Sequence, residues 1–245
     1  MKKLLALFLV VTLLLCGCDP VPDESRETSS SSSTLDTTSS GTTDTSTNTM
    51  SDTTTETWYD VTEKPVIYLY PKTEMEVTVK LDFKGELFCT YPPYHNGWRV
   101  LASPDGTLRN LADGRAYSYL FWDGFANAEY DMSRGFVVKG EDTASFLQDI
   151  LAEIGLTEKE ANDFIVYWLP RMQKNPYNLI TFQNEAYTDI AKLEISPTPE
   201  SVLRVFMVFQ ALEMPIEIEA PDIVPFERNG FTVVEWGGGE ASVPD

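Results

Sequence analysis

The amino-acid sequence predicts an α+β fold in which a largely antiparallel β-sheet domain carries an inserted pair of helices. Short runs of alternating apolar and polar residues, separated by turns rich in Gly and Pro, occupy the first half of the globular part. Two consecutive segments with helical spacing follow, and strand-like runs then resume. Strands and helices do not alternate as in a parallel sheet and no Gly-rich phosphate loop is present, so a nucleotide site is not expected.

The chain begins with the pattern of an export signal. Lys2 and Lys3 precede an apolar run over residues 4–15, which is too short to span a bilayer because a spanning helix needs roughly 20 apolar residues. The run ends in Leu-Cys-Gly-Cys, and Gly17 supplies the small residue that precedes the acylated cysteine of a bacterial lipobox. We therefore predict a lipoprotein signal peptide over residues 1–17 and lipid on Cys18, which anchors the protein to the bacterial cell membrane on its outer side. An ordinary secretory signal is the alternative.

A low-complexity segment follows the predicted lipid site. Between residues 28 and 57, 22 of the 30 residues are Ser or Thr. Such a segment buries too little apolar surface to offset the entropy of ordering it. Residues 18–63 are therefore predicted to be a disordered tether, and residues 64–245 a single α+β domain.

Composition excludes several classes of function. The chain carries 38 acidic and 18 basic residues, a net charge of −20, and the predicted domain keeps 28 acidic and 15 basic ones. A phosphate-binding face needs the opposite charge, so no nucleic-acid partner is expected. One His and three Cys cannot form a Cys/His zinc site, and no calcium loop is present, so the sequence predicts neither a metal nor a cofactor.

The strands of the first half are predicted in order as an antiparallel meander. Lys84-Gly85, Pro104-Asp105-Gly106 and Asp113-Gly114 mark turns, because Gly supplies the positive φ that tight hairpins need. The strands predicted between these and other turns are Val66–Tyr70, Val77–Phe83, Leu87–Tyr91, Trp98–Ala102, Thr107–Leu111, Tyr117–Trp122 and Phe136–Val138.

The helical pair and the last strands have clearer boundaries. Asp142 or Thr143 is expected to cap the first helix, which Gly155 ends. Thr157 and Glu160 form a capping box for the second helix, which Pro170 is expected to bend or end. The strands expected after the helices are Asn178–Phe182, Ala191–Ile195, Val202–Phe209 and Phe231–Trp236.

Several segments of the domain resemble a bacterial family of secreted or lipid-anchored proteins. The segment at residues 64–71, Lys-Pro-Val-Ile-Tyr-Leu-Tyr-Pro, is similar to the opening of that family. Further similar segments lie at residues 119–124, 135–140, 164–170 and 230–238. The family is uncharacterised, so the resemblance implies a self-contained domain behind an export signal and carries over no catalytic residue.

A dense group of aromatic residues is the strongest candidate for a binding surface. Flat rings stack on sugar faces and Tyr adds a polar tip, so the group could form a platform for a glycan or a peptide. The competing interpretation is a central strand covered on both faces. The residues of the predicted platform are Tyr94, Trp98, Tyr117, Tyr119 and Trp122.

Other chemistry-bearing residues favour structural interpretations. Asp123, Glu129 and Asp131 follow the aromatic strand, and a glycosidase needs two such carboxyls about 5–9.5 Å apart. We expect these acids, and Glu235 beside Trp236, to be solvated. Cys89 is expected to be buried and inert, and His95 to lie on a surface turn.

The sequence thus favours a lipid-anchored, non-catalytic binding domain for a glycan or an envelope protein. A polysaccharide hydrolase that uses loop carboxylates such as Asp123 and Glu129 is one alternative, and a structural envelope protein is the other. The residues specify no oligomeric state.

Overall fold

The computed structural model describes residues 60–241 and confirms the α+β class. Within this range twelve strands and three α-helices are present, with a short 3-10 helix over Gly140–Asp142. The strands are β1 (Asp60–Tyr70), β2 (Met75–Phe83), β3 (Gly85–Tyr91), β4 (Trp98–Ala102), β5 (Leu108–Asn110), β6 (Ala116–Tyr117), β7 (Leu120–Ala126), β8 (Phe136–Lys139), β9 (Tyr177–Phe182), β10 (Ala191–Ser196), β11 (Ser201–Leu212) and β12 (Thr232–Glu240). The helices are α1 (Thr143–Ile154), α2 (Glu158–Met172) and α3 (Asn184–Ile190).

The strands form two sheets. The larger sheet has the order β3-β7-β1-β12-β11-β9-β8 and the smaller sheet the order β10-β2-β4-β5-β6. Neighbouring strands are antiparallel except for β11 and β12, which run parallel. The predicted meander is therefore correct only for the successive strands β4, β5 and β6. Strand β3 was expected to pair with β2, but it pairs with β7, and β2 pairs with β4.

Three layers result, with the larger sheet in the middle. One face of this sheet packs on α1 and α2 through residues such as Val66, Phe164 and Trp236. The other face packs on the smaller sheet through residues such as Ile67, Val79 and Trp122. Alternation along each strand sends successive side chains to opposite faces, so a central strand such as β1 is apolar on both.

The predicted helix ends are largely confirmed. Gly155 ends α1 with a left-handed φ of 115°, but the Asp142 side chain makes no capping hydrogen bond. Thr157 and Glu160 form the capping box at the start of α2. This helix continues to Met172, two residues past Pro170. The sequence missed the seven-residue helix α3, which precedes β10.

The predicted strand Tyr117–Trp122 is wrong as a single element. Its first part ends at Tyr117 in the smaller sheet, and its second part begins at Leu120 in the larger sheet. The chain crosses between sheets at Ser118 and Tyr119, which lie in a bend. As a result, Tyr117 and Tyr119 do not share one strand face.

The folded part begins before the predicted boundary at residue 64. Strand β1 starts at Asp60 and residues 60–62 already pair with β7, so these residues belong to the sheet and not to the tether. The predicted signal peptide, Cys18 and the tether up to residue 59 lie outside the described residues. Within the described range, no helix is both long and apolar enough to cross a bilayer.

Candidate functional site

The five residues of the predicted platform do not form one exposed surface. Trp98 and Trp122 are 1% and 0% exposed, so the prediction is wrong for both. The Trp98 indole Nε1 donates a hydrogen bond of 2.8 Å to the Pro92 carbonyl oxygen, and the Trp122 Nε1 donates one of 3.3 Å to Glu235 Oε1. Both tryptophans fill the core between the two sheets.

The three tyrosines of the predicted platform are half-buried and lie on two layers. Tyr94 accepts a hydrogen bond from the backbone N–H of Leu81 at 3.0 Å. Its ring lies 4.6 Å from that of Trp98. Tyr117 packs toward the same core, whereas Tyr119 packs toward the helices. Tyr94 and Tyr119 therefore support neighbouring residues, whereas the ring of Tyr117 lies 5.1 Å from that of the exposed Tyr91.

A different set of rings is exposed at one edge of the larger sheet. Phe88, Tyr91 and Phe125 are 50%, 56% and 38% exposed. Strand register pairs Tyr91 with Phe121, and the rings of Phe88 and Phe125 lie 4.6 Å apart. We call Phe88, Tyr91, Phe121 and Phe125 the aromatic face.

Topology explains why these rings are left uncovered. In β7, Leu120 and Trp122 point to the smaller sheet, so Phe121 and Phe125 must point to the opposite side. Helices α1 and α2 pack on that side over the central strands. Strand β3 lies at the edge of the sheet, and its side chains are half-buried or exposed along its whole length. Large apolar side chains exposed together in this way are typical of binding surfaces.

A polar cluster adjoins the aromatic face at a bulge of β1. Lys64 adopts a left-handed φ of 58°, which residues other than Gly rarely adopt. Its Nζ lies 5.2, 5.1 and 5.6 Å from the ring centroids of Tyr119, Phe121 and Tyr167. An ammonium at this distance from ring faces is attracted by their electron density. The bulge therefore holds a cation among three rings.

Asp123 fixes the backbone of this bulge. Its Oδ1 accepts a hydrogen bond of 2.6 Å from the backbone N–H of Lys64. Burial raises the pKa of Asp123 from its ordinary value of 3.8 to about 6; the Lys64 N–H opposes this rise, and the negative charge of Glu63 adds to it. At neutral pH the carboxyl is mostly ionised, and near pH 6 it is a donor as well as an acceptor.

The rest of the cluster anchors β1 to helix α2. Tyr167 donates a hydrogen bond of 2.9 Å to Glu63 Oε2, and Arg171 forms an ion pair with the same oxygen. Burial, with the hydrogen bond to Glu63 next, raises the pKa of Tyr167 to about 12. The Arg171 guanidinium also lies 5.0 Å from the Tyr167 ring centroid. We call Glu63, Lys64, Asp123, Tyr167 and Arg171 the Lys64 cluster.

Asp123 lies half-buried in β7, so the prediction of a solvated loop acid is wrong for it. The other two acids named with it lie elsewhere. Glu129 is exposed. Asp131 accepts a hydrogen bond of 2.9 Å from the backbone N–H of Ser133, and its hydrogen bonds with Ser133 lower its pKa. Its own backbone N–H and carbonyl group bind the amide side chain of Gln183. These contacts are those of a loop acid with a structural role.

Glu235 is the acid that the sequence misplaced. The prediction of a solvated side chain is wrong, because Glu235 is 0% exposed between the two sheets. Its Oε2 accepts a hydrogen bond of 2.6 Å from Arg204 Nε, while Trp122 donates to Oε1. Arg204 is its direct partner in the parallel pairing of β11 with β12. The sequence did contain a signal for this pair: Arg204 is the one charged residue of an apolar run, and Glu235, of opposite charge, is the one charged residue of another.

Cys89 and His95 are both exposed. The prediction of a buried Cys89 is wrong, because its strand β3 lies at an uncovered sheet edge. The surface position of His95 is confirmed. In residues 60–241 no group of three or more His, Cys, Asp or Glu side chains is placed to hold a metal ion.

Comparison of the chain with protein-family models, curated proteins and solved structures gave no match. The resemblance carried by residues 64–71 therefore stays a prediction. These residues nevertheless have a defined place in the fold, since Lys64 and Pro65 form the bulge and the next five residues complete strand β1.

Proposed function

We propose that the chain is a lipid-anchored binding protein outside the cytoplasmic membrane, and that its folded domain holds an envelope or extracellular glycan on the aromatic face. The anchor in this proposal is the acyl chain on Cys18, and the segment up to residue 59 is the tether. The observation that carries the proposed binding role is the joint exposure of Phe88, Tyr91 and Phe125.

The exposure of these rings needs an explanation beyond packing. The domain buries large aromatic side chains in both cores, including Trp98, Trp122, Trp168 and Trp236. An uncovered ring in water loses the stabilisation of about 25 cal/mol per Å² that burial gives apolar area. A purely structural role does not account for this exposure. A binding role does, because a ligand would cover the exposed rings.

A glycan fits the chemistry of this face. Flat rings stack on the apolar faces of sugar rings, and nearby carboxylates accept hydrogen bonds from sugar hydroxyl groups. Glu86 lies opposite Phe125 in the register of β3 and β7, and Asp123 lies opposite Cys89. Glu86 thus stands beside the exposed Phe125 ring, and Asp123 lies between Phe121 and Phe125 on the same face of β7.

Binding to a glycan array and to isolated wall fragments tests this function. The full chain should bind, and replacing both Phe88 and Tyr91 by Ala should weaken binding by about tenfold or more, because both stacking surfaces are lost. Val166→Ala is the matched control, since Val166 is 75% exposed on α2. An absence of binding, or equal binding by the double variant, would contradict the proposal.

The anchor has a separate test. Cells grown with a radioactive fatty acid should label the wild-type protein and not Cys18→Ala. A labelled alanine variant would show that the lipid is attached elsewhere.

A polysaccharide hydrolase is the second candidate, favoured by the raised pKa of Asp123 beside Glu63. Bound glycan should then be cleaved, with release of reducing ends, and Asp123→Asn should abolish cleavage while binding persists. Glycan that is bound but left intact by the wild-type chain would exclude this candidate for that glycan.

A further inference from the structure

A second surface, distinct from the aromatic face, lies along the outer edge of strand β10. A groove of about 560 Å³ runs between β10, helix α3 and the start of β11. This volume falls in the range of ligand-binding clefts. Its walls and floor include Lys192, Leu193, Ile195, Pro199, Val202 and Arg204. We call this cleft the β10 groove.

One wall of the groove is an open sheet edge. Strand β10 is the terminal strand of the smaller sheet and pairs with β2 over six residues. Among residues 60–241, no strand pairs with its other side. The N–H and C=O groups on that side are a template for an added strand.

The floor of the groove is apolar surface that the smaller sheet does not reach. Val202 lies on β11 of the larger sheet and is 42% exposed. The smaller sheet has five strands against seven in the larger one. A strand added beside β10 would continue the smaller sheet over Val202 and remove this apolar area from water.

Charge in the groove differs from that of the rest of the domain. Lys192 and Arg204 line it, and Asp189 is the one acid among the lining residues. The Arg204 side chain is 10% exposed and is held in place by Glu235 Oε2 at 2.6 Å and by the face of the Tyr187 ring at 4.5 Å. Because Glu235 already balances the charge of Arg204, Lys192 is the cation of the groove that can face a carboxylate of a ligand.

We propose that the β10 groove binds an extended, acidic and partly apolar peptide segment of another extracytoplasmic protein as a sixth strand of the smaller sheet. Backbone hydrogen bonds to the free edge of β10 supply the affinity. Apolar side chains of the peptide pack on Val202 and Ile195, and a carboxylate of the peptide faces Lys192. The aromatic face is left free for its own ligand.

A random library of peptides of about eight residues, displayed on phage and selected against the full chain, provides the probe. Selected peptides are resynthesised and their Kd measured by fluorescence polarisation. Val202→Glu should raise the Kd by about tenfold or more, because it places a carboxylate in the apolar floor and near the acidic peptide. Val166→Glu, the same change on an exposed valine of α2, should leave the Kd within about twofold.

Two further measurements separate strand addition from other modes of binding. Methylating alternate backbone nitrogens of the peptide should abolish binding, since the added strand then lacks donors. Lys192→Glu should weaken binding of the acidic peptides, and circular dichroism checks that every variant remains folded. The proposal is overturned if selection enriches no peptide, if the methylated peptide binds equally, or if Val202→Glu leaves the Kd unchanged. It is also overturned if peptide binding is lost on replacing Tyr91 instead, or if the chain is a dimer that Val202→Glu dissociates.

Discussion

Replacing Asp123 by Asn is expected to change how stability depends on pH. Burial raises the pKa of Asp123 from 3.8 to about 6, so the folded state binds this proton more tightly than the unfolded state does. The stabilisation by the bound proton is therefore fully present below about pH 4 and is lost as the pH rises through 6. An asparagine carries no charge at any pH, and its Oδ1 can still accept the Lys64 N–H.

The size of the effect follows from the shift. About two pKa units correspond to a ceiling of about 3 kcal/mol, and partial solvent exposure of the carboxyl lowers this value. We expect the stability of Asp123→Asn relative to wild type to increase by about 1–2 kcal/mol between pH 4 and pH 7.5.

Urea unfolding followed by tryptophan fluorescence at pH 4 to 8 measures this difference. Asp131→Asn is the matched control. Hydrogen bonds with Ser133 lower the pKa of Asp131 from 3.8, so its stabilising contribution is lost only as the pH falls below about 4 and its difference from wild type should stay nearly constant over this range. If the difference between Asp123→Asn and wild type is constant over this range, or falls as the pH rises, the reasoning about burial is refuted.

Three further substitutions, two in β12 and one at the N-cap of α2, can be compared with wild type by urea unfolding. Glu235→Leu should destabilise the fold by about 3–5 kcal/mol, because Arg204 then stays buried without its counter-charge. Gly238→Ala should cost about 1–3 kcal/mol, since a Cβ atom would lie 2.4 Å from the Met207 carbonyl oxygen. Thr157→Ala should cost about 1 kcal/mol through loss of the α2 cap, seen also as faster amide exchange in the first helical turn.

Two of these substitutions have a result that would contradict the reasoning. Glu76→Leu removes an acid from an exposed ion pair with Arg99, so it should change stability far less than Glu235→Leu. Equal effects of the two would contradict the argument from burial. A Gly238→Ala variant with wild-type stability would show that the β11–β12 pair can move apart at no cost.

The elements of the fold were predictable where local patterns decide them. The capping box of Thr157 and Glu160, the end of α1 at Gly155 and the hairpin at Asp113-Gly114 all follow from backbone chemistry within a few residues. The pairing of β3 with β7 does not, since Leu87–Tyr91 carries no local mark of its neighbour. Helix α3 was missed because seven residues give too short a periodic pattern.

The sequence predicted that the candidate site would be an aromatic surface, but not which residues form it. The sequence indicated an aromatic surface near residues 91–122, yet the identity of an aromatic residue does not say which layer covers it. Trp122 and Phe121 are neighbours in β7 but point to opposite faces of the sheet. Trp122 is buried because the smaller sheet covers its face, whereas Phe121 lies on the aromatic face. Lys64 was likewise not predicted to be part of a site, because a Lys-Pro pair does not indicate a left-handed backbone conformation at the Lys.

Strand β12 lies between β1 and β11, so the last described strand forms the middle of the larger sheet. Its residues 232–239 are all buried, and its partners are separated from it by very different lengths of chain. When the ribosome has released the chain only up to residue 231, the two halves of that sheet on either side of β12 are therefore not yet joined. Completion of the larger sheet must therefore wait for β12, and deleting residues 232–240 would remove the strand that joins its two halves.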